Sequence, residues 1–487
     1  MNQPDQPFDY ALQQAIGLHT GGDIDHAVIH YRELLETYPD HPDLWHLLGI
    51  AAHQKDDNKL AVDLISSAIS LKDDVPDYHN NLGMAFWGLG NERDAEQCFR
   101  TALECRPTHT KALSNLASVL RLGGKFAAAL KYARRAVATN PNDAEAVNNL
   151  GNVEKDAGLL NDAITSYRRS LDLSPDFALA HWNLSLALLS TGHYEEGFEE
   201  MAWRWQWSGF PGRRTTFEQP EWDGGNLNGR TVLLYGEQGL GDTLHMLRFS
   251  RAVRQNAGRV VLQLPDPILP LAEELELADN IVSPAGALPD FDVHASLMDV
   301  PRLCGLQGPG LFIPPPYLMV KPNRKTEWQK RVEGQKGRKV GLNWSGNPAS
   351  PVEKFRQLPS EQIDRLAELG NVTWFNLQKG DTPAPALATS FPIIDTGPAP
   401  LEDTAALIDT LDLVITSDTA VGHLAGALGK TVWVLLHHAP DWRWGQDSQT
   451  PWYPSARLFR QPSPGDWASV FDQVCAEFAT FSPSKFI

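Results

Sequence analysis

Residues 108–141 read THTKALSNLASVLRLGGKFAAALKYARRAVATNP and form one unit of a repeat. The pattern returns every 34 residues as a small residue at a fixed place: Ala27, Ala61, Ala95, Ala129, Ala163 and Gly197. A second series of small residues keeps the same register: Ala15, Gly49, Gly83, Ala117, Gly151 and Ser185. A period of this length is typical of stacked helix pairs, so an α-helical array is predicted for about the first 200 residues.

Each unit is predicted to be two helices joined by a turn. The two small residues of a unit, such as Ala117 and Ala129, let its helices approach closely. Most units close with a proline, which cannot continue a helix: Pro39, Pro107, Pro141 and Pro175. Together these features resemble the tetratricopeptide repeat over about residues 7–205, with a sixth unit that departs from the pattern at Gly197 and Met201.

Asparagine recurs two positions before the small residue of the second series in four successive repeats: Asn81, Asn115, Asn149 and Asn183. A carboxamide donates and accepts hydrogen bonds, so a ladder of them can bind the backbone of an extended peptide without reading its side chains. The ladder is similar to that of O-GlcNAc transferase, and it predicts binding of a protein or peptide acceptor. The alternative is that these side chains only satisfy neighbouring helix ends.

The composition is that of a globular chain with an acidic balance. Its 487 residues include 60 Asp and Glu against 42 Lys and Arg, giving a net charge of −18. This charge repels phosphate backbones, so nucleic acid is not expected as a partner. Four cysteines without a CxxC pair are expected to be reduced. No apolar run reaches about 18 residues, so we expect no membrane span and a cytoplasmic location.

From Thr231 onward, short apolar runs alternate with helical segments. The runs are TVLLYG, RVVLQLP, KVGLNWSG, VTWFNLQ, LDLVIT and TVWVLLH. Such runs are typical of buried parallel strands, and a Pro-rich, then basic stretch near residues 308–339 divides them into two halves. The predicted fold class is therefore an α-helical array followed by an α/β domain with two Rossmann-like lobes.

The predicted domains are residues 1–205 for the repeat array, 206–230 for an aromatic junction, 231–335 for the first lobe and 336–487 for the second. Tryptophans crowd around the junction: Trp203, Trp205, Trp207 and Trp222. Stacking on a sugar or base is one reading of them, but aromatic residues at a domain boundary more often pack the boundary itself. We predict packing.

The first strand leads into the turn GEQGLGD, which ends at Asp242. Its glycines are in the wrong order for a dinucleotide-binding fingerprint, and the acidic residue expected after the second strand is misplaced. An aspartate at a helix start is often only a capping residue. Its place at the carboxyl end of a strand, where α/β proteins bind ligands, makes Asp242 a candidate catalytic residue.

A second turn, SDT, lies between the run LDLVIT and a helix. Ser417, Asp418 and Thr419 precede that helix, whose free amides and dipole favour an anion such as a diphosphate. Gly422 permits close approach of a ligand, and His423 lies one turn into the helix. The alternative for His423 is a neutral ring packed between helix and loop.

Four segments resemble the GT-B glycosyltransferases, specifically the heptosyltransferase-like group fused to tetratricopeptide repeats: GEQGLGD, VGLNWSGNP, ITSDTAVGHLAGALGK and DWRWGQDSQTPWYPS. The resemblance covers about residues 215–480. It implies an acceptor-side first lobe, a nucleotide-sugar second lobe, Asp242 as general base, and a donor diphosphate held by Asp418, Thr419 and His423. Relatives often read DTG at the donor turn, whereas Ala420 follows Thr419 here.

Further residues are assigned to the donor side. The loop after the first strand of the second lobe is expected to face the donor: Trp344, Ser345, Gly346 and Asn347. Candidates to balance leaving-group charge are Arg443, and with less support Arg356 or Lys354. Candidates to stack on base or sugar are Trp442, Trp444 and Tyr453. The GT-B resemblance implies no metal and no cofactor beyond the nucleotide-sugar substrate, and the string Asp290-Phe291-Asp292 is read as structural.

The predicted function is transfer of a sugar from a nucleotide sugar to a protein acceptor held by the repeats. Related fusions modify flagellin, so the resemblance makes flagellin one candidate acceptor. Two alternatives stay open: a scaffold whose GT-B domain has lost catalysis, and a glycosyltransferase that acts on a saccharide. The SDT and GD turns favour an enzyme, because a scaffold needs neither.

Overall fold

A computed structural model describes residues 6–212, 214–255, 257–273, 277–350, 352–378, 391–396 and 400–482. The chain divides into two compact units, Met1–Ala180 and His181–Ile487. The second unit thus begins inside the sixth repeat, earlier than the predicted boundary at residue 205. In the described ranges, no helix is both long and apolar enough to cross a lipid bilayer.

The N-terminal part is built of consecutive helices, as the 34-residue period predicts. The helices up to the end of the sixth repeat are α1 (Gln6–Thr20), α2 (Ile24–Thr37), α3 (Pro42–Gln54), α4 (Asn58–Leu71), α5 (Pro76–Gly88), α6 (Glu92–Cys105), α7 (Thr110–Leu122), α8 (Phe126–Thr139), α9 (Ala144–Asp156), α10 (Leu160–Leu173), α11 (Ala178–Ser190) and α12 (Tyr194–Met201). The closing prolines lie in the turns after α2, α6, α8 and α10.

The small residues of the repeat have the predicted role in packing. A Cβ atom added to Gly83 would lie 2.6 Å from the Phe99 ring, and one added to Gly151 would lie 2.6 Å from the Tyr167 ring. Both distances are far below van der Waals contact. The aromatic ring of the second helix therefore fills the space that glycine leaves on the first.

The second unit contains two sheets. Their strands are β1 (Thr231–Tyr235), β2 (Arg259–Gln263), β3 (Asn280–Val282), β4 (Val293–Ser296), β5 (Arg338–Asn343), β6 (Val372–Asn376), β7 (Ile393–Ile394), β8 (Leu413–Ser417), β9 (Val432–Leu436) and β10 (Ala456–Arg460). The helices around them are α13 (Leu240–Met246), α14 (Ser250–Arg254), α15 (Leu269–Ala272), α16 (Val300–Leu303), α17 (Pro322–Val332), α18 (Glu353–Arg356), α19 (Ser360–Ile363), α20 (Leu401–Thr410), α21 (Ala420–Ala427) and α22 (Trp467–Thr480).

Each lobe of the second unit has one parallel sheet. Among the described residues, the first sheet has the strand order β3-β2-β1-β4 and the second has the order β10-β9-β8-β5-β6-β7. All the strand pairs are parallel. In both sheets the order reverses beside the first strand of the lobe, where α/β proteins bind ligands. The α plus α/β class is confirmed.

The sixth helix pair belongs to the core of the second unit. Met201 is 1% exposed and lies in the same buried cluster as the strands of the first lobe. The Phe198 ring meets the Trp442 ring edge-on at 5.8 Å, and Tyr194 meets Trp452 at 5.2 Å. The departure of this repeat from the pattern therefore has a physical cause, since its second helix packs against an α/β domain.

The aromatic junction packs as predicted. Trp203 stacks on His181 with ring centroids 3.9 Å apart, and the Trp222 side chain is 6% exposed. Between these two, Phe210 contacts both Trp205 and Trp207. The tryptophan cluster is occupied by its own contacts, which fits a structural role.

Candidate functional site

Asp242 lies in the first turn of α13, directly after the carboxyl end of β1. Its Oδ2 accepts a hydrogen bond from the Gly239 amide at 3.1 Å, which caps the helix. The capping role considered from the sequence is thus present. It uses one carboxylate oxygen and leaves Oδ1 for another partner.

That other partner is Arg443, which comes from the second lobe. Arg443 Nη2 lies 2.8 Å from Asp242 Oδ1, and Nη1 lies 2.9 Å from Asp441 Oδ1. The Arg443 side chain is 3% exposed, whereas that of Asp242 is 29% exposed. Burial raises the pKa of Asp242 above the ordinary aspartate value, and the charge of Arg443 opposes this rise. A carboxylate of raised basicity at a ligand-binding edge is suited to accept a proton.

The SDT turn joins β8 to α21, as predicted, with Thr419 at the N-cap position. The Thr419 hydroxyl donates to Asn343 Oδ1 at 2.9 Å and so is tied to the end of β5. The Ser417 hydroxyl is buried and has no hydrogen-bond partner among the described residues. The first amides of α21 are donors available to an anion, whereas the Ser417 side chain is 0% exposed and enclosed by protein.

The Asp418 carboxylate is engaged by a tryptophan of the second lobe. Its Oδ1 accepts a hydrogen bond from Trp444 Nε1 at 2.7 Å, and the residue is 7% exposed. Burial raises the pKa of Asp418, and the neighbouring charge of Asp441 adds to the rise. In this arrangement Asp418 positions the Trp444 ring.

His423 is buried in the first turn of α21. Its ring stacks on Trp444 with centroids 4.9 Å apart, and Nδ1 lies 3.0 Å from the Tyr453 hydroxyl. Burial lowers the pKa of His423 to about 3, with a further lowering by Arg443. The ring is therefore neutral at physiological pH, as in the packed alternative considered from the sequence, and it remains at the anion-binding end of the helix.

The two turns meet. A Cβ atom added to Gly241 would lie 3.0 Å from His423 Cδ2 and 3.5 Å from Ala420 Cα, so the two turns approach each other closely at this glycine. Asp242, the next residue, is thereby held beside the N-terminus of α21. The structure brings together Asp242, Arg443, Thr419 and His423, which the sequence placed in two separate lobes.

The loop after β5 is held by a residue that the sequence analysis did not consider. Gln378 Oε1 accepts hydrogen bonds from the amides of Trp344 and Ser345, and its Nε2 donates to the Ser345 carbonyl. The Gly346 amide donates to Glu353 Oε1 at 2.7 Å. Trp344 and Ser345 are buried while Asn347 is exposed. The loop follows the strand next to β8, but most of its polar groups are already used.

The proposed stacking residues are not available for stacking. Trp444 and Tyr453 are 0% exposed and Trp442 is 3% exposed, all within the main core cluster. The expectation that these rings receive a base or sugar is wrong for this conformation, because their faces are covered by protein. Arg356 is also engaged, since its Nε donates to Glu353.

In the first unit, the asparagine ladder is partly engaged between repeats. The side-chain amide of Asn115 donates to Asn80 Oδ1 at 3.0 Å, and that of Asn80 donates to Asn81 Oδ1 at 3.0 Å. Asn81 Nδ2 lies 2.9 Å from His46 Nε2. For Asn149, the described part of the chain offers no hydrogen-bond partner, although its side chain is only half-buried. The ladder position thus serves both inter-repeat bonds and an open carboxamide.

A buried ion cluster beneath the GEQGLGD turn escaped the sequence analysis. Arg204 is 0% exposed; its guanidinium donates two bonds to Glu237, both at 2.7 Å, and two to Asp299. Glu237 lies in the turn itself, so Arg204 anchors it. The one available signal was a charged residue inside the otherwise aromatic string AWRWQW.

The DFD string has a structural role, as the sequence analysis expected. Asp292 Oδ2 accepts a hydrogen bond from the Thr231 amide at 2.7 Å, at the start of β1.

Comparisons with known proteins agree with a chain that has an N-terminal repeat region and a C-terminal α/β region. Residues 12–77 and 80–144 match the tetratricopeptide repeat, residues 151–192 match a TPR repeat family, and residues 360–464 match glycosyltransferase family 9 (heptosyltransferase). Protein FlbA of Caulobacter vibrioides is 25% identical over 510 residues, covering 96% of this chain and 84% of FlbA.

Two similar solved structures each cover less than half of this chain. PilW, described as a widely conserved type IV pilus biogenesis factor, matches 42% of this chain and 96% of its own, with 23% identity and a TM-score of 0.38. YrrB, described as a TPR protein with an unusual peptide-binding site, matches 35% and 88%, with 21% identity and a TM-score of 0.29. From the sequence matches, the chain carries tetratricopeptide repeats in its N-terminal region and a glycosyltransferase family 9 (heptosyltransferase) domain in its C-terminal region.

Proposed function

We propose that this glycosyltransferase moves a sugar from a nucleotide-sugar donor to a protein acceptor in the cytoplasm, with Asp242 as the general base. The observation that carries the proposal is the meeting of the two turns, in which Asp242 pairs with Arg443 at 2.8 Å beside the N-terminus of α21. A proton acceptor and an anion-binding helix end are the two groups that such a transfer needs.

In the proposed reaction, the acceptor oxygen attacks the anomeric carbon of the donor sugar. The bond from that carbon to the phosphate oxygen breaks, and the acceptor proton goes to Asp242. The negative charge that develops on the departing nucleotide is stabilised by the first amides of α21 and by Arg443. These groups supply the charge stabilisation without a metal ion, so we expect transfer to persist in the presence of a chelator.

The repeat region is proposed to bind the protein acceptor. Asn149 supports this role, because its carboxamide is half-buried and has no partner within the described residues. Asn81, Asn115 and Asn183 occupy the same place in their repeats. Flagellin is the first protein acceptor to test. A saccharide acceptor is tested in parallel, because a transferase that acts on a saccharide would need no peptide-binding surface.

The first experiment is a thermal-shift panel of the full chain with UDP, GDP, ADP, CMP and their sugars. A ligand at a hundredfold excess over Kd adds about 2.7 kcal/mol of stability, which such a panel detects. A selective shift that disappears when Thr419 and His423 are replaced supports the donor site and names the nucleotide. No shift with any nucleotide would instead favour the scaffold alternative.

Asp242→Asn then tests the base. Asparagine retains the Oδ1 atom that can accept the Gly239 amide, so the turn is kept while the proton acceptor is lost. We expect transfer to fall by at least about a hundredfold although donor binding is not weakened. Asp290→Asn is the matched control. Asp290 is exposed and precedes β4, so it lies at the amino ends of the strands, whereas Asp242 follows the carboxyl end of β1. Full activity in Asp242→Asn would remove Asp242 from the mechanism.

A further inference from the structure

Three buried rings meet directly behind the first turn of α21. The Tyr453 hydroxyl lies 3.0 Å from Nδ1 of His423 and 3.1 Å from Nδ1 of His245, which belongs to α13 in the other lobe. Tyr453 and His245 are both 0% exposed, whereas His423 is 5% exposed. The hydrogen bonds of this cluster are therefore made within the protein, and His423 is its outermost ring.

Both imidazoles are neutral. Burial lowers the pKa of His423 to about 3 and lowers the pKa of His245 well below its usual value; the guanidinium charges of Arg248 and Arg443 lower both further. A neutral imidazole carries a single N–H, on either Nδ1 or Nε2. The positions of the two protons follow from the contacts.

His245 fixes the first proton. Its Nε2 is enclosed and has no hydrogen-bond partner in the described part of the chain. Buried N–H groups without an acceptor are rarer in proteins than buried acceptors without a donor. The proton is thus on Nδ1, which donates to the Tyr453 oxygen.

The Tyr453 proton must then go to a different atom. The Tyr317 oxygen is 3.3 Å away, the longest of the three contacts and beyond the usual O–H···O range, and it accepts a stronger hydrogen bond from Arg248 at 2.9 Å. The shortest contact is to His423 Nδ1. Tyr453 therefore donates to His423 Nδ1, and this leaves the His423 proton on Nε2.

We infer that Tyr453 is a positioning residue that holds His423 in the Nε2–H tautomer, so that the ring offers an N–H donor to the phosphate of a bound nucleotide sugar. His245 completes the arrangement, because in its own Nε2–H form it would compete for the Tyr453 proton. The identity of the ligand rests on the proposed function; the order of the protons does not.

The tautomer is measured directly by long-range proton–nitrogen NMR on the full chain labelled with nitrogen-15 in histidine, without any ligand. The chain has 15 histidines, so the His423 signals are assigned by their loss in His423→Gln. We expect a protonated Nε2 and an unprotonated, hydrogen-bonded Nδ1. A protonated Nδ1 overturns the inference. The measurement is made on the wild-type chain, so it does not depend on whether a Tyr453 variant folds.

Tyr453→Phe tests the positioning role. We expect the His423 nitrogens to become a mixture of tautomers, and the Kd of inorganic phosphate or pyrophosphate to rise about threefold or more. Tyr235→Phe is the matched control, as a buried tyrosine beside another histidine, His294, at 6.0 Å. An unchanged tautomer and Kd in Tyr453→Phe overturn the role of Tyr453. Correct tautomers in a wild-type chain that binds no phosphate, pyrophosphate or nucleotide would contradict the proposed function alone.

Discussion

Arg443 and Asp242, 201 positions apart in the sequence, are joined by an ion pair in which Nη2 lies 2.8 Å from Oδ1. In this pair, the positive charge of Arg443 is partly neutralised by the carboxylate of Asp242. A donor phosphate must therefore share Arg443 with Asp242 and with Asp441, which lies 2.9 Å from Nη1. The ion pair connects the two parts of the candidate site electrostatically.

We expect Asp242→Asn to bind donor phosphate more tightly than the wild type, because Arg443 then faces one carboxylate instead of two. A gain of about 1 kcal/mol corresponds to a roughly fivefold lower Kd. Titration calorimetry with pyrophosphate and with the best nucleotide measures it, and Asp290→Asn should leave the Kd unchanged. Weaker binding in Asp242→Asn would show that Arg443 does not exchange between carboxylate and ligand.

Arg204→Met should strongly destabilise the second unit. It leaves the buried carboxylates of Glu237 and Asp299 without a cation, which typically costs about 3–5 kcal/mol. Denaturant unfolding followed by tryptophan fluorescence measures the loss. Arg365→Met provides the comparison, because its pair with Asp472 is exposed and should cost less than about 1 kcal/mol. Equal losses in the two variants would rule out an anchoring role for Arg204.

Local patterns predicted the elements well. The six apolar runs became β1, β2, β5, β6, β8 and β9, since a strand buried on both faces needs continuous apolar sequence. Four strands were missed. The strands β3, β4 and β7 have only four residues or fewer, too few to carry a pattern, and the apolar run of β10 is interrupted by the exposed Arg457. The helix pairs followed from the 34-residue period, which depends on glycine-to-ring packing inside each unit.

Contacts between distant segments were not predictable. Arg204 with Glu237, and His245 with Tyr453, join residues with no shared period or motif. The stacking role expected for Trp444 failed for a related reason, because burial depends on what the rest of the fold places over a ring. The sequence identified the residue types at both turns, while their pairing and their burial required the fold.

The second unit should lose stability as the pH falls below neutrality. His423 binds a proton in the unfolded chain at its ordinary pKa but in the fold only at about 3, so the unfolded state gains protons first. Between about pH 7.5 and about pH 5 this one histidine should remove about 2 kcal/mol, because that interval lies above its folded pKa.

Thermal unfolding of the wild type and of His423→Gln across this interval isolates the contribution. The variant should show the smaller loss, since it lacks one group that titrates between the two states. His30→Gln, which changes an exposed ring in the first unit, should retain the wild-type dependence. A dependence in His423→Gln that equals that of the wild type would mean that His423 is already able to accept a proton in the fold.

Asn149→Ala separates the two roles of the asparagine ladder. Since the Asn149 carboxamide has no partner in the described residues, its removal should leave the stability of the repeats unchanged and raise KM for a protein acceptor about threefold to tenfold, with kcat unchanged. Asn80→Ala should lower the stability of the repeats and leave KM unchanged, because Asn80 is 2% exposed and forms hydrogen bonds with both Asn81 and Asn115. The two variants are compared by steady-state kinetics and thermal unfolding. If KM is the same in Asn149→Ala as in the wild type, the ladder is structural and the acceptor binds elsewhere.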